Sequence, residues 1–439
     1  MDRPARSLYP VPSSDRMKIC MEQQLKPEKR LWTRDFTIIT AGSAVSMFGN
    51  TMAGFAISLL VLDYTSSSML YAIYLAVYML PQIFAPFLSG PILDRFSRKK
   101  AIYTLDFLSA GLYALSGFLL RSGWFSYPAL LFWCFLVGTI NSVYLVAYQS
   151  FYPLLISEGN FTKAYSVSSV LETLSGVMAP VSAFLYNTAG IFPLLEIIAV
   201  FFFIAAVIET RIKTSEQYIE TQKLNVTEKS RIRQLAADFR EGLRYLSGEK
   251  GLLAVTAYFV VSSLSGGAMG VITLPFFRNT FKNGEYIYML VGGMMVLGRT
   301  IGGTIHYRHR FPPDKKYKTA ITVYIVTSLI EGFYLYLKVP FMLPLMFVSG
   351  ILSVTSYTIR ISATQSYVPD EKKARFNGTF NMLNMAGTFA GELIAGAAAT
   401  FFPGRIVLTV FMLVNALSAV LIVGVYGRKH IPQLYNREQ

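Results

Sequence analysis

The chain has 439 residues, of which 53% are hydrophobic and only 15% charged, yet it carries a net charge of +15. That is too little polar surface to cover a water-soluble body of this size, which excludes an ordinary soluble domain. The basic residues fall between apolar runs of membrane-crossing length, so the positive excess points to a membrane and no nucleic-acid partner is implied.

Residues 1–34 are polar, basic and punctuated by Pro4, Pro10, Pro12 and Pro27, and read as a cytoplasmic tail ending near Trp32, a residue suited to the headgroup layer. Cys20 has no apolar stretch before it, so no secretory or lipoprotein signal is expected. Cys134 falls inside an apolar run, so the two cysteines make no disulfide framework. Apolar segments follow at about 36–62, 69–93, 101–120, 128–151, 163–186 and 191–208, then at about 251–277, 284–307, 318–337, 341–365, 374–401 and 404–426. Each is near the roughly 20 residues that cross about 30 Å of hydrocarbon. The pattern predicts an all-α membrane protein of twelve transmembrane helices in two six-helix bundles, at 35–208 and 251–427, with a linker at 209–250 and a tail at 428–439. Within the linker, apolar residues recur at helical spacing over 231–246, as in an amphipathic helix on the membrane face or a solvated linker helix.

The bases fix an orientation. With the N-terminus cytoplasmic, 33 of the 40 Lys and Arg fall on the cytoplasmic side, and 5 fall outside: Arg121, Arg278, Lys282, Lys338 and Arg405. Arg299 and Arg360 lie within spans. This split follows the positive-inside rule with both termini cytoplasmic, and an odd number of spans would spoil the alternation. The halves also echo each other. Gln149-Ser150-Phe151-Tyr152-Pro153 ends the fourth span and Gln365-Ser366-Tyr367-Val368-Pro369 the tenth. Gly176 and Gly387 take similar places in spans five and eleven, and Gly303-Thr304-Ile305-His306-Tyr307-Arg308 is a worn copy of Gly90-Pro91-Ile92-Leu93-Asp94-Arg95. Repeated halves around a midplane site are the architecture of alternating-access transporters.

The loop after the second span carries Gly90, Ile92, Asp94, Arg95, Arg98, Lys99 and Lys100. In that register it resembles the signature Gly-x-Leu-x-Asp-Arg-x-Gly-Arg-Lys/Arg of the major facilitator superfamily, departing at Ser97, where the family usually has Gly. The resemblance runs from Phe36 over nearly the whole chain. Ser46-Met47-Phe48-Gly49-Asn50, Phe55-Ala56, Thr65-Ser66-Ser67-Ser68 and Pro153-Leu154-Leu155-Ile156-Ser157-Glu158 are similar to the macrolide-efflux-like branch of its drug exporters. The span-five exporter element survives only as Ser175, Ala179, Pro180, Ala183 and Phe184. The basic residue that proton-linked exporters often carry in span four is missing.

The resemblance implies a gating role for Gly90, Asp94, Arg95, Arg98 and Lys99, in which Asp94 holds backbone or Arg groups across the interface between halves; the alternative is a purely topogenic loop. Ionisable groups inside spans are costly and often functional. Here they are Asp106, Glu172, Glu196, Glu331 and Glu392. Family architecture puts spans 1, 4, 7 and 10 on the cavity. Spans 2, 5, 8 and 11 flank it, which favours Glu172 and Glu392 for proton coupling or substrate contact; Glu331, mid-span on an outer helix, is the third candidate, and Asp106 reads as a structural part near the basic loop. The expected cavity wall is Asn50, Asn141, Tyr144, Tyr148, Gln149, Tyr258, Tyr357 and Gln365, although aromatics also pack helices. Gly292, Gly293, Gly298, Gly302 and Gly303 suit close helix packing.

No phosphate-binding loop occurs, His306, His309 and His430 all fall on the cytoplasmic side, and neither a metal, a cofactor nor catalysis is expected. The expected function is a plasma-membrane secondary exporter of amphipathic or hydrophobic small molecules. Protons and membrane lipids are its other partners, and the chain acts as a monomer. A lipid-linked or nutrient symporter and a non-transporting membrane sensor are the alternatives.

Overall fold

The computed structural model describes residues 30–95, 97–123, 126–157, 160–214, 239–308 and 312–436. The described residues are almost entirely helical. The helices are α1 (Arg34–Thr65), α2 (Ser68–Arg95), α3 (Arg98–Arg121), α4 (Tyr127–Phe151), α5 (Phe161–Ser175), α6 (Met178–Ala189) and α7 (Ile191–Glu209). After a short helix α8 at 239–248 come α9 (Lys250–Thr280), α10 (Gly284–Arg308), α11 (Lys316–Phe333), α12 (Val339–Tyr367), α13 (Asp370–Ala398), α14 (Gly404–Ser418) and α15 (Ile431–Tyr435). A helix, or two consecutive helices, stands at every apolar segment read from the sequence. Eight of them are long and apolar enough on their own to cross a membrane. The fifth segment is split: the chain turns at Gly176 and Val177, between α5 and α6. Of the amphipathic tract at 231–246, only 239–246 lies among the described residues, where it is helical.

Local chemistry sets the ends. The Thr33 side chain accepts from the Phe36 backbone N–H at the start of α1, and Ser97 and Ser126 do the same for α3 and α4. Ser66 ends α1 in the left-handed region at φ 48°. Gly190, at φ 85°, makes the tight turn from α6 to α7, a conformation most side chains avoid.

Two bundles result. In the first, α3 packs on α7, α2 on α4, and α1 on α7; in the second, α9 packs on α13, α10 on α12, and α11 on α14. Close approach in the second bundle depends on glycine. A Cβ at Gly298 of α10 would strike the Phe347 carbonyl, and one at Gly350 of α12 would strike the Met295 carbonyl, so the two helices meet backbone to backbone. Large apolar side chains such as Phe118, Phe132, Phe203 and Leu417 stay exposed on the outside, as a lipid-facing surface requires.

The bundles meet through α2 against α13, with Gly396 directly over Ala72, and through α6 against α10. These contacts lie on the side opposite the chain termini, called the distal side below.

Candidate functional site

A cavity of about 540 Å³ opens in the first bundle, bounded by α1, α4 and α5. Helical spacing aims its walls. On α1, Ser43, Ser46, Met47, Asn50 and Thr51 share one face; on α4, Asn141, Tyr144, Leu145, Tyr148 and Gln149; on α5, Ser168, Glu172 and Ser175. Tyr152 closes the end near the termini. The tyrosines form a ladder: Tyr144 and Tyr148 are stacked with ring centres 6.1 Å apart, and Tyr148 and Tyr152 at 5.1 Å. Asn141 donates to the Tyr78 hydroxyl at 3.3 Å, which fixes its amide. The chamber thus offers flat aromatic faces, several hydroxyls, three amides and one carboxyl, Glu172, which is exposed to it. That mixture suits an amphipathic molecule with an apolar body and a polar or cationic end.

Six of the expected residues therefore come together: Asn50, Asn141, Tyr144, Tyr148, Gln149 and Glu172. Others stand elsewhere. Tyr258 is buried, with its ring stacked 4.4 Å from that of Tyr324, so it packs helices and lines no part of this cavity. Tyr357 is exposed outside this cavity beside Arg360, whose guanidinium carbon sits 4.7 Å from the Phe380 ring centre and 4.9 Å from that of Phe259. Glu331 of α11 accepts from Ser349 of α12 at 2.7 Å. Glu392 is buried where α13 meets α9 at Gly267, and its Oε2 has no partner among the described residues. Neither acid borders the cavity: Glu331 is turned to α12 of its own bundle, and Glu392 stands near Tyr71 where α13 meets α2. The Gln365 side chain lies outside the described residues, as do those of Gly90, Asp94 and Arg95. In the same loop, Arg98 donates to the Ser150 carbonyl at 3.1 Å and Lys99 to the Thr214 carbonyl at 2.9 Å, tying α3 to the ends of α4 and α7.

Two features escaped the sequence. Glu209, the last residue of α7, reads there as the first residue of a charged linker. In the structure it is buried, and its carboxyl meets that of Asp106 behind the cavity wall. A distal cluster also joins the bundles. Arg278 of α9 donates to Asp63 of α1 at 2.6 Å and to the Leu59 carbonyl at 3.2 Å. The Tyr186 hydroxyl donates to the other Asp63 oxygen, and Asn187 of α6 donates to Glu285 of α10 at 2.7 Å. Phe55 of α1 stacks on Tyr288 of α10 with ring centres 6.4 Å apart.

The sequence profile of the Major Facilitator Superfamily matches residues 39–392. The chain belongs to the major facilitator superfamily. Within this superfamily, it is 26% identical over 279 residues to the uncharacterized MFS-type transporter YkuC of Bacillus subtilis, covering 62% of this chain and 64% of that one. It is also 26% identical over 285 residues to macrolide efflux protein A of Streptococcus pyogenes, covering 60% of this chain and 66% of the relative. The matched stretch thus spans slightly less than two thirds of these relatives. Among solved structures, a mutant of the peptide transporter POT superposes with a TM-score of 0.67 at 11% identity, over 94% of this chain and 99% of that one. A mutant of the nucleoside transporter NupG gives 0.62 at 13% identity, over 89% and 98%. At such identities the likeness shows the fold alone. The protein is a multi-pass membrane protein of the major facilitator fold.

Proposed function

We propose that this transporter is a secondary exporter that moves amphipathic or hydrophobic small molecules out of the cell in exchange for protons. All twelve apolar segments cross the plasma membrane, with the termini and the linker in the cytoplasm. The observation that carries this reading is the cavity of about 540 Å³, whose tyrosine ladder and Glu172 carboxyl suit a molecule with an apolar body and a polar or cationic end. The similarity to a macrolide efflux protein supports outward transport. The imbalance of bases supports a cytoplasmic location for the termini, and hence an extracellular location for the distal cluster. With the bundles joined distally, the cavity faces the cytoplasm, the loading side for an exporter. Breaking the distal bonds and closing the loop at 90–100 would present it outward.

The test compares cells with and without the protein for sensitivity to macrolides and to a panel of hydrophobic cations. It is paired with uptake by inside-out vesicles under an imposed proton gradient. Raised resistance and gradient-dependent uptake are expected. Greater sensitivity or accumulation in whole cells would identify an importer.

A further inference from the structure

We infer that Asp106 and Glu209 together form the proton-binding site of this transporter, set behind the cavity wall and linked to it by Ser46 and Tyr144. The inference rests on the proton-exchange reading above and replaces Glu172, Glu331 and Glu392 as the coupling group.

The geometry has three parts. First, the two carboxyls are brought together where α7 packs on both α3 and α1: Glu209 lies on Gly42 of α1, and Asp106 is bonded to Ser46, one turn further along the same helix. Asp106 is 2% exposed and Glu209 1%. Second, each is held from the cavity side by a hydroxyl that itself lines the cavity. Ser46 donates to Asp106 Oδ1 at 3.1 Å, and Tyr144 donates to Glu209 Oε1 at 3.3 Å. Third, the remaining oxygens, Asp106 Oδ2 and Glu209 Oε2, are buried and have no donor among the described residues.

The donor these oxygens lack is a proton. Two ionised carboxylates in contact inside a low-dielectric bundle repel each other strongly, and a buried acceptor without a donor is unfavourable. One proton held between them supplies an O–H···O bond and leaves the pair a single negative charge, which the Ser46 and Tyr144 hydroxyls stabilise. α1 presents Gly42 and Ser46, and α4 presents Tyr144 and Tyr148 as the titratable neighbours. Among the described residues, no base is bonded to either carboxyl. The corresponding contact in the second bundle, between α11 and α14, is neutral: Asn415 donates to Ser328 at 3.0 Å. The acid pair therefore belongs to the half that holds the cavity.

The link to transport is mechanical. Loss of the shared proton leaves two like charges that must separate, and Glu209 is the last residue of α7, where the helix gives way to the chain that follows. It fits against α1 only because position 42 is glycine: a Cβ there would stand 2.5 Å from Glu209 Cγ. A substrate that draws the Tyr144 or Ser46 hydroxyl toward itself takes a donor from the pair. Proton occupancy and substrate occupancy of one cavity wall thus affect each other, which is the requirement for coupling.

The test uses the full chain in proteoliposomes with radiolabelled erythromycin. Two rates are read: accumulation driven by an imposed proton gradient, and exchange of label at equal pH on both sides. Asp106→Asn and Glu209→Gln are expected to lower gradient-driven accumulation at least about ten-fold while exchange persists, the pattern of a carrier that still reorients but no longer responds to protons. Gly42→Ala, which keeps both carboxyls and displaces one, should give the same pattern several-fold weaker; it carries the test if either carboxyl variant folds poorly. Glu196→Gln, an exposed acid in the same bundle, should behave as wild type. Wild-type accumulation in Asp106→Asn or Glu209→Gln overturns the assignment, and if Glu172→Gln alone abolishes accumulation, the coupling site is in the cavity. Wild-type protein that exchanges the label but ignores the gradient overturns the proton-exchange reading. Wild-type protein with no flux overturns that reading and this one together.

Discussion

Arg278 and Asp63 meet at 2.6 Å although 215 positions separate them, and each stands at the distal end of the helix that begins its own half of the chain. Their bond joins two bodies that alternating access must part. It has no covalent or loop constraint to keep it, so its strength sets how often the distal side opens.

Arg278→Ala should loosen that closure. A partly exposed ion pair with a second bond to a carbonyl contributes about 1 kcal/mol, or a roughly five-fold change in the open population. A cysteine placed at Phe55, beneath the pair, reads the change in a background lacking Cys20 and Cys134. Labelling by a membrane-impermeant maleimide added outside should quicken several-fold in Arg278→Ala. An unchanged rate would show that the remaining contacts, α2 against α13 and α6 against α10, hold the halves without this pair.

Tyr148→Ala removes the middle rung of the aromatic ladder. Loss of a stacked ring from a binding surface costs about 1–2 kcal/mol, so the KM for a hydrophobic substrate should rise roughly ten-fold with little change in the maximal rate. Tyr258→Phe, at a buried ring outside the cavity, should leave KM alone. Transport kinetics of both variants in vesicles check the contrast.

Glu172→Gln separates substrates by charge. The carboxyl faces the cavity beside the aromatic wall. Affinity for cationic compounds should fall by about ten-fold, whereas neutral compounds of similar shape should be carried as before. Competition measurements with a paired cation and neutral analogue decide it, and equal losses for both would assign Glu172 a structural role.

Gly350→Val should destabilise the second bundle. The new side chain would enter the Met295 backbone on α10, and neither helix can retreat without opening the packing at Gly298. Overpacking of this kind costs about 1–3 kcal/mol. The thermal transition of the purified protein in detergent should fall by several degrees; a wild-type midpoint would mean that the α10–α12 contact yields freely.

Asp94→Asn tests the loop read from sequence. If Asp94 holds the cytoplasmic side closed in one half of the cycle, the charge-neutral variant should carry substrate several-fold more slowly while keeping its membrane orientation, as read by protease access to the N-terminal tail. Normal transport would leave the loop a topogenic role only.

Much of this was legible in the sequence because it depends on local composition. Apolar length gives the helix positions, and the Gly90 to Lys100 register gives the family. Six cavity residues were also legible, since helical spacing on α1, α4 and α5 puts them on shared faces. Tyr258 and Tyr357, which stand outside this cavity, share a cause. A helix apolar on all sides carries little information about which face turns inward, and only contact with neighbouring helices sets its rotation. Glu209 was hidden for a second reason: an acid at the end of an apolar run looks the same whether it enters water or folds back into the bundle. Gly42, which makes room for it, is an ordinary glycine until α7 is seen against it. The residue pattern alone carried a two-part, multi-pass helical fold of the major facilitator type, because this follows from the solvent preference of each segment. Only the tertiary structure decided that Asp106 meets Glu209 and Arg278 meets Asp63, because side chains far apart in the chain are paired by helix rotation and tilt, which packing alone fixes.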